Sequence, residues 1–148
     1  MLCAEIMNST PGTYALILRS RSNVRVRIGR WGRVALEPGF YVYVGSAFGP
    51  GGVRARVLRH CRSNKRKHWH IDYLRSFLTP AGAWYSHSPD RLEHQWAEAL
   101  SGMRATTPVR GFGCTDCRCD SHLFRTSEEP DLYRFSRVAS GEPESWMN

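Results

Sequence analysis

The chain has 148 residues, 41% of them hydrophobic, with 21 Lys/Arg against 13 Asp/Glu and a formal net charge of +8. That size suits one compact domain with an adequate core, while no stretch approaches the roughly 20 consecutive apolar residues of a membrane helix. The opening MLCAEIMNSTPG lacks the basic start and apolar run of a secretory signal, so the expectation is a cytoplasmic protein with no membrane partner.

In chain order, Thr13 to Ser20 (TYALILRS) is apolar and rich in strand formers. Asn23 to Ile28 alternates Val24, Val26 and Ile28 with Arg25 and Arg27. The two predict an antiparallel pair joined at Arg21-Ser22. Turns at Arg30–Arg33 and Pro38-Gly39 lead to a third strand, in which Phe40, Val42 and Val44 point one way and Tyr41, Tyr43 and Gly45 the other. Phe48 to Gly52 breaks regular structure. From Val53 the spacing of Val53, Val57 and Cys61, with Leu58 beside them, predicts a helix carrying Arg56 and His60 one turn apart on another face.

After the basic loop Ser63–Lys67, the run His68 to Leu74 predicts a short helix ending before Pro80, and Ala81 to His87 a fourth strand. Ser88, Pro89 and Asp90 have the cap, first-turn proline and acidic residue of a helix start, with Leu92, Trp96, Ala99 and Leu100 facing inward through about residue 101. GFGCTDCRCDSH is too polar and glycine-rich for a long element. Leu123 to Arg125 and Leu132 to Phe135 read as short strands, and the tail from about residue 138 is expected to be mobile. The sum is an α+β fold, a small, mainly antiparallel sheet flanked by helices.

Charge is placed unevenly: residues 1–75 hold 14 Lys/Arg against 3 Asp/Glu, and residues 76–148 hold 7 against 10. The basic half points to a polyanionic partner, since each neutralised phosphate releases condensed counterions; the competing reading is a solubilising surface. Arg25, Arg27, Arg54, Arg59, Lys65, Arg66 and Lys67 are the candidate nucleic-acid contacts. The same half holds Tyr14, in Gly12-Thr13-Tyr14, and Tyr43, in Tyr43-Val44-Gly45. Two phenols on strands beside an arginine-bearing helix suit the gripping of a phosphate and an attack on it.

In this order, followed by Val53-Arg-Ala-Arg-Val57 and by Glu93-His-Gln-Trp96-Ala97 on a later helix, the chain resembles the GIY-YIG nuclease superfamily over residues 11–125. The wider strings Gly39 to Ala47, His68 to Leu74 and Gly111 to Phe124 resemble one branch of it, some members of which are attached to an endonuclease III-type repair glycosylase. The resemblance implies a metal-dependent endonuclease that hydrolyses DNA phosphodiester bonds, with repair as a setting and a glycosylase as a partner. It assigns catalysis to Tyr14, Tyr43, Arg56, His60 and Glu93, and a Mg²⁺ or Mn²⁺ ion to Glu93. Tyr14 would accept the proton of the attacking water, Tyr43 would position the water or the phosphate, and Arg56 would balance phosphoryl charge. A free phenol has a pKa of about 10, so Arg56, His60 or the metal must favour its ionised form.

Two departures stand out. The gap between Tyr14 and Tyr43 is longer than in the family, and the inserted Asn23 to Leu36 is either a substrate-reading hairpin or an extension of the sheet. The family's late asparagine has no counterpart; either Asp116 replaces it or the role is absent.

Cys114-x-x-Cys117-x-Cys119-x-x-His122 offers three thiolates and an imidazole suited to tetrahedral Zn²⁺, with His60, Cys61, His68 or His70 able to replace one ligand. Alternatively the cysteines pack as small hydrophobes beneath the sheet. The five cysteines, an odd number, fit reduced thiols better than a disulfide scaffold. His68, His70 and Asp72 form a second cluster, read as capping or support, and Trp31, Phe48 and Trp69 are either base-stacking residues or core. Two other function classes stay open, a nucleic-acid-binding module without turnover and a zinc-stabilised protein-interaction domain.

Overall fold

The computed structural model describes residues 7–62, 66–67, 69–113 and 119–147. Strand β1 (Gly12–Ser20), buried along almost its whole length, occupies the centre of a sheet. It pairs antiparallel with β4 (Gly39–Ala47) on one side and β5 (Leu78–Ser86) on the other. Beyond β4 lie β7 (Leu123–Thr126) and β6 (Thr106–Pro108), and beyond β5 lies β8 (Glu144–Met147), giving the order β6-β7-β4-β1-β5-β8. With α1 (Gly52–Cys61), α2 (Glu93–Ser101) and α3 (Leu132–Ser136) around it, this is an α+β fold built on an antiparallel sheet. No helix among the described residues is long and apolar enough to cross a membrane.

Strand alternation divides the apolar residues between two layers. Tyr14, Leu16, Leu18 and Tyr41 point to one face and pack with Val53 and Val57 of α1, with Ile71 and Leu74, and with Phe112. Ala15, Ile17, Val42 and Val44 point to the other, under Trp96, Ala97 and Leu100 of α2 and Phe135 of α3. The phenols therefore lie on the α1 side of the sheet and Glu93 starts from the α2 side.

Several elements differ from the sequence reading. Strand β2 (Val24–Ile28) pairs with β3 (Gly32–Leu36) as a separate two-stranded hairpin, not with β1. The register brings Val26 opposite Val34 and Val24 opposite Leu36, so both strands bury one apolar side against the core while Arg25, Arg27 and Arg33 stay exposed. The insertion between the tyrosines is thus a hairpin and not a wider sheet.

Helix α2 begins at Glu93, later than Ser88-Pro89 suggested, because the Ser88 hydroxyl accepts from the Asp90 N–H in a local turn. Leu132 to Phe135 is helical, capped by Asp131, whose side chain accepts from the Tyr133 N–H at 2.9 Å. Residues 70–73 form a single 3-10 turn. Pro80 lies inside β5, at the bulge where the register against β1 shifts, a place where a missing N–H is tolerated. Glu144–Met147, within the tail expected to be mobile, pairs with Gly82 to Tyr85 and so supplies the backbone partners that the outer edge of β5 requires.

Candidate active site

The antiparallel register of β1 and β4 sets Tyr14 directly opposite Gly45. The phenol lies so flat over that glycine that a Cβ there would stand 2.5 Å from Tyr14 Cζ and closer still to the hydroxyl. At Gly12 a Cβ would meet the Ser86 carbonyl and come within 2.8 Å of Val53. The glycines of both tyrosine motifs are therefore demanded by close approach, one by the phenol itself and the other by the strand and helix around it.

Tyr14 is buried and its hydroxyl hydrogen-bonds His60 Nε2 at 2.7 Å. His60, on the inner side of α1, is ringed by Tyr14, Tyr43 and Trp69, with ring centroids 5.4, 5.8 and 5.7 Å away. One turn earlier Arg56 donates from Nη1 to the Ser46 carbonyl at 2.9 Å and lays its guanidinium 4.5 Å from the Trp69 ring centre. Arg59 lies 4.3 Å from the same ring and forks onto both oxygens of buried Asp72 at 3.1 and 3.0 Å. Asp72 also accepts from the Trp69 main-chain N–H at 2.9 Å, which holds the start of the turn that carries the indole.

Glu93 reaches this group around the edge of the sheet. Strand β7 pairs only with Phe40 to Tyr43 of β4, so Gly45 and Ser46 lie beyond its cover. There the first residue of α2 meets the end of β4: the Ser46 hydroxyl donates to Glu93 Oε1, and His122 Nδ1 bonds Oε2 at 2.6 Å. The result is a cleft of about 400 Å³ lined by Tyr14, Tyr43, Arg56 and Glu93, with Trp69 and His70. Four of the five expected catalytic residues line it, and His60 stands directly behind Tyr14.

The electrostatics differ from expectation. Burial, with the neighbouring Tyr43 and Glu93, pushes the Tyr14 phenol well above its ordinary value despite the charge and hydrogen bond of Arg56. Burial, Glu93 and Asp72 likewise push Tyr43 up against Arg56. Both phenols are thus neutral at physiological pH. Burial alone would raise the Glu93 carboxyl, but hydrogen bonds from His122 and Ser46 and the charge of His122 and His94 outweigh it and hold the group below the usual carboxylate range.

Glu93 fits a divalent cation. Its side chain is 26% exposed, it lines the cleft, and each oxygen spends one lone pair on its neighbour, which leaves acceptor capacity for an ion that keeps most of its waters.

Among the candidate phosphate contacts, Arg25, Arg27, Arg54, Arg66 and Lys67 are exposed, and Lys65 lies outside the described residues. Arg59 is committed to Asp72 and to the Arg66 carbonyl at 3.0 Å. Cys114 and Cys117 also lie outside the described residues. Cys119 and His122 do approach each other, joined by His94 and not by His60, Cys61 or His70; the ligand atoms of the three lie within 4.8 Å of one another. The sequence reading missed His94, Ser46 and the link from His122 to Glu93. The adjacency of His94 to the candidate metal carboxylate was the one signal that pointed to it.

Neither the curated proteins nor the solved structures contain a match to this chain. A family model described as a domain of unknown function, DUF123, matches residues 13–142, and the chain belongs to that family.

Proposed function

We propose that the chain is a metal-dependent endonuclease of the GIY-YIG type that hydrolyses DNA phosphodiester bonds. The observation that carries this is the meeting of Tyr14, Tyr43, Arg56 and Glu93, from four separate elements and both faces of the sheet, in one solvent-reachable cleft. Such convergence of phenol, guanidinium and carboxylate is hard to account for by packing.

A Mg²⁺ or Mn²⁺ ion on Glu93 would polarise the scissile phosphate and neutralise charge on the leaving oxygen. Arg56, held by the Ser46 carbonyl and by Trp69, presents a permanent positive charge to the phosphoryl oxygens. As water adds to phosphorus and the P–O ester bond breaks, the water's proton would go to the Tyr14 oxygen while the Tyr14 proton passes along the 2.7 Å hydrogen bond to His60 Nε2, and the leaving oxygen would take a proton from solvent. The relay makes base catalysis compatible with a phenol whose ionisation is disfavoured. Tyr43, at the cleft wall, orients the water or a phosphate oxygen. The exposed hairpin arginines and the basic residues beyond α1 supply non-specific attraction for the duplex. A cytoplasmic setting and a repair glycosylase partner accompany this proposal.

The raised phenol ionisation favours a second reading, a nucleic-acid-binding module that does not turn over. Labelled branched, flapped and single-stranded DNA incubated with Mg²⁺ or Mn²⁺ separates the two. The nuclease cuts at least one substrate, Tyr14→Phe and Glu93→Gln abolish cutting while retaining binding, and a chain that shifts every substrate and cuts none is the module.

A further inference from the structure

His94 and Cys119 line a groove with Gln95, Glu98, Ser101 and Asp120, none of which touches the tyrosine cleft. Asp120 is occupied there by Ser101 at 2.6 Å and Arg110 at 3.2 Å. Buried His122 faces His94 with the rings 5.7 Å apart and inclined at 71°, a convergence of edges and not a stack. A ligating imidazole characteristically gives one nitrogen to the metal and the other, as N–H, to a carboxylate that fixes its tautomer. His122 has that carboxylate, since Nδ1 donates to Glu93 Oε2, so ligation would fall to Nε2.

From this geometry we propose that His94, Cys119 and His122 bind a Zn²⁺ ion, in a site distinct from the one on Glu93. A thiolate with two imidazoles is a donor set selective for zinc over Mg²⁺ or Mn²⁺. Bond lengths of about 2.1–2.3 Å put the corners of a tetrahedron roughly 3.5 Å apart. The present separations, all within 4.8 Å, close to that with side-chain rotations. A water entering by the groove completes the ion. The site differs from the Cys114, Cys117, Cys119, His122 set that the sequence alone suggests, because His94, on α2, becomes a required ligand. It also ties α2 to the segment that precedes β7.

The test is metal content of the full chain purified from zinc-supplemented cells, which needs no DNA and is independent of nuclease activity. About one equivalent of zinc is expected, falling at least tenfold in His94→Ala and in Cys119→Ala with the far-ultraviolet dichroism of the parent retained. Replacement of zinc by Co²⁺ should give tetrahedral d–d bands and a sulfur-to-cobalt charge-transfer band, and Cys119→His should keep the former and lose the latter. Because the cobalt spectrum is read on the unaltered chain, it tests for a tetrahedral thiolate-bearing site even where a variant fails to fold, and the His94 variant decides the ligand set. Less than a tenth of an equivalent of zinc together with no cobalt bands would overturn the proposal, and so would full zinc content in a folded His94→Ala.

Discussion

Replacing Gly45 by alanine tests the geometry of the site at its tightest point. A Cβ at this position would lie 2.5 Å from Tyr14 Cζ and closer still to the hydroxyl, whereas ordinary contact begins at 3.4 Å, so the phenol must retreat by about 1 Å or β4 must move away. Alanine also restricts the unfolded chain, which favours folding by about 0.4–1 kcal/mol. Overpacking a filled core costs about 1–3 kcal/mol, so the net expectation is a destabilisation of about 1–2 kcal/mol, measurable by urea denaturation. The rate should suffer more: a displacement near 1 Å of a reacting group costs about 100-fold, equivalent to roughly 2.7 kcal/mol of barrier. Single-turnover cleavage under saturating enzyme isolates that step.

Two backgrounds locate the cause. With Tyr14→Phe the ring carbon remains, so Gly45→Ala should still destabilise but have little further effect on rate. With Tyr14→Ala the obstruction is gone, so the added methyl should be neutral or stabilising. A wild-type cleavage rate in Gly45→Ala, or an equal stability cost with and without the Tyr14 ring, would refute the reasoning.

Other expectations follow from the same geometry. Arg59→Ala leaves the buried Asp72 carboxylate without its charged partner and should cost about 3–5 kcal/mol, more than Asp72→Ala, which strands a partly exposed arginine, as read from chemical denaturation. The phenols of Tyr14 and Tyr43 ionise above their unfolded value in the native chain, so the folded state holds protons that the unfolded state releases. Their stabilising contribution is therefore complete below about pH 10 and is lost as pH rises toward the native ionisation, at up to roughly 1.4 kcal/mol per pH unit for each group. Alkaline melting curves combined with tyrosinate absorbance check this, and the absorbance of the two groups should appear only with unfolding. DNA affinity should fall linearly with salt on logarithmic axes, and charge removal at Arg25 and Arg27 should lower the slope by about 0.9 for each phosphate no longer neutralised; an unchanged slope would remove the hairpin from the interface.

Alternation and helical spacing made much of this arrangement visible in the sequence. Tyr43 shares a side with Tyr41 and Gly45 because a pleated strand leaves no choice, and Arg56 and His60 stack because they are one turn apart. Nothing local in Asn23–Ile28 distinguishes pairing with the preceding strand from pairing with the following one; tertiary packing of Val26 against the core settles it. Leu132 to Phe135 has strand-like composition but follows Asp131, and the cap wins over propensity in so short a segment. The neutral state of the phenols was out of reach, since the sequence shows Arg56 nearby but not the burial that outweighs it. His94 escaped notice because its partners lie more than twenty residues away in the chain.

The shortness of β7 has an architectural consequence. An unbroken sheet is a wall, and residues above and below it can never share a ligand. By stopping opposite Tyr43, β7 leaves a doorway at the end of β4, through which α2 extends a carboxylate to a chamber otherwise furnished by α1 and β1. Two or three added residues that continued the ladder past Gly45 would shut that doorway while leaving every other element in place.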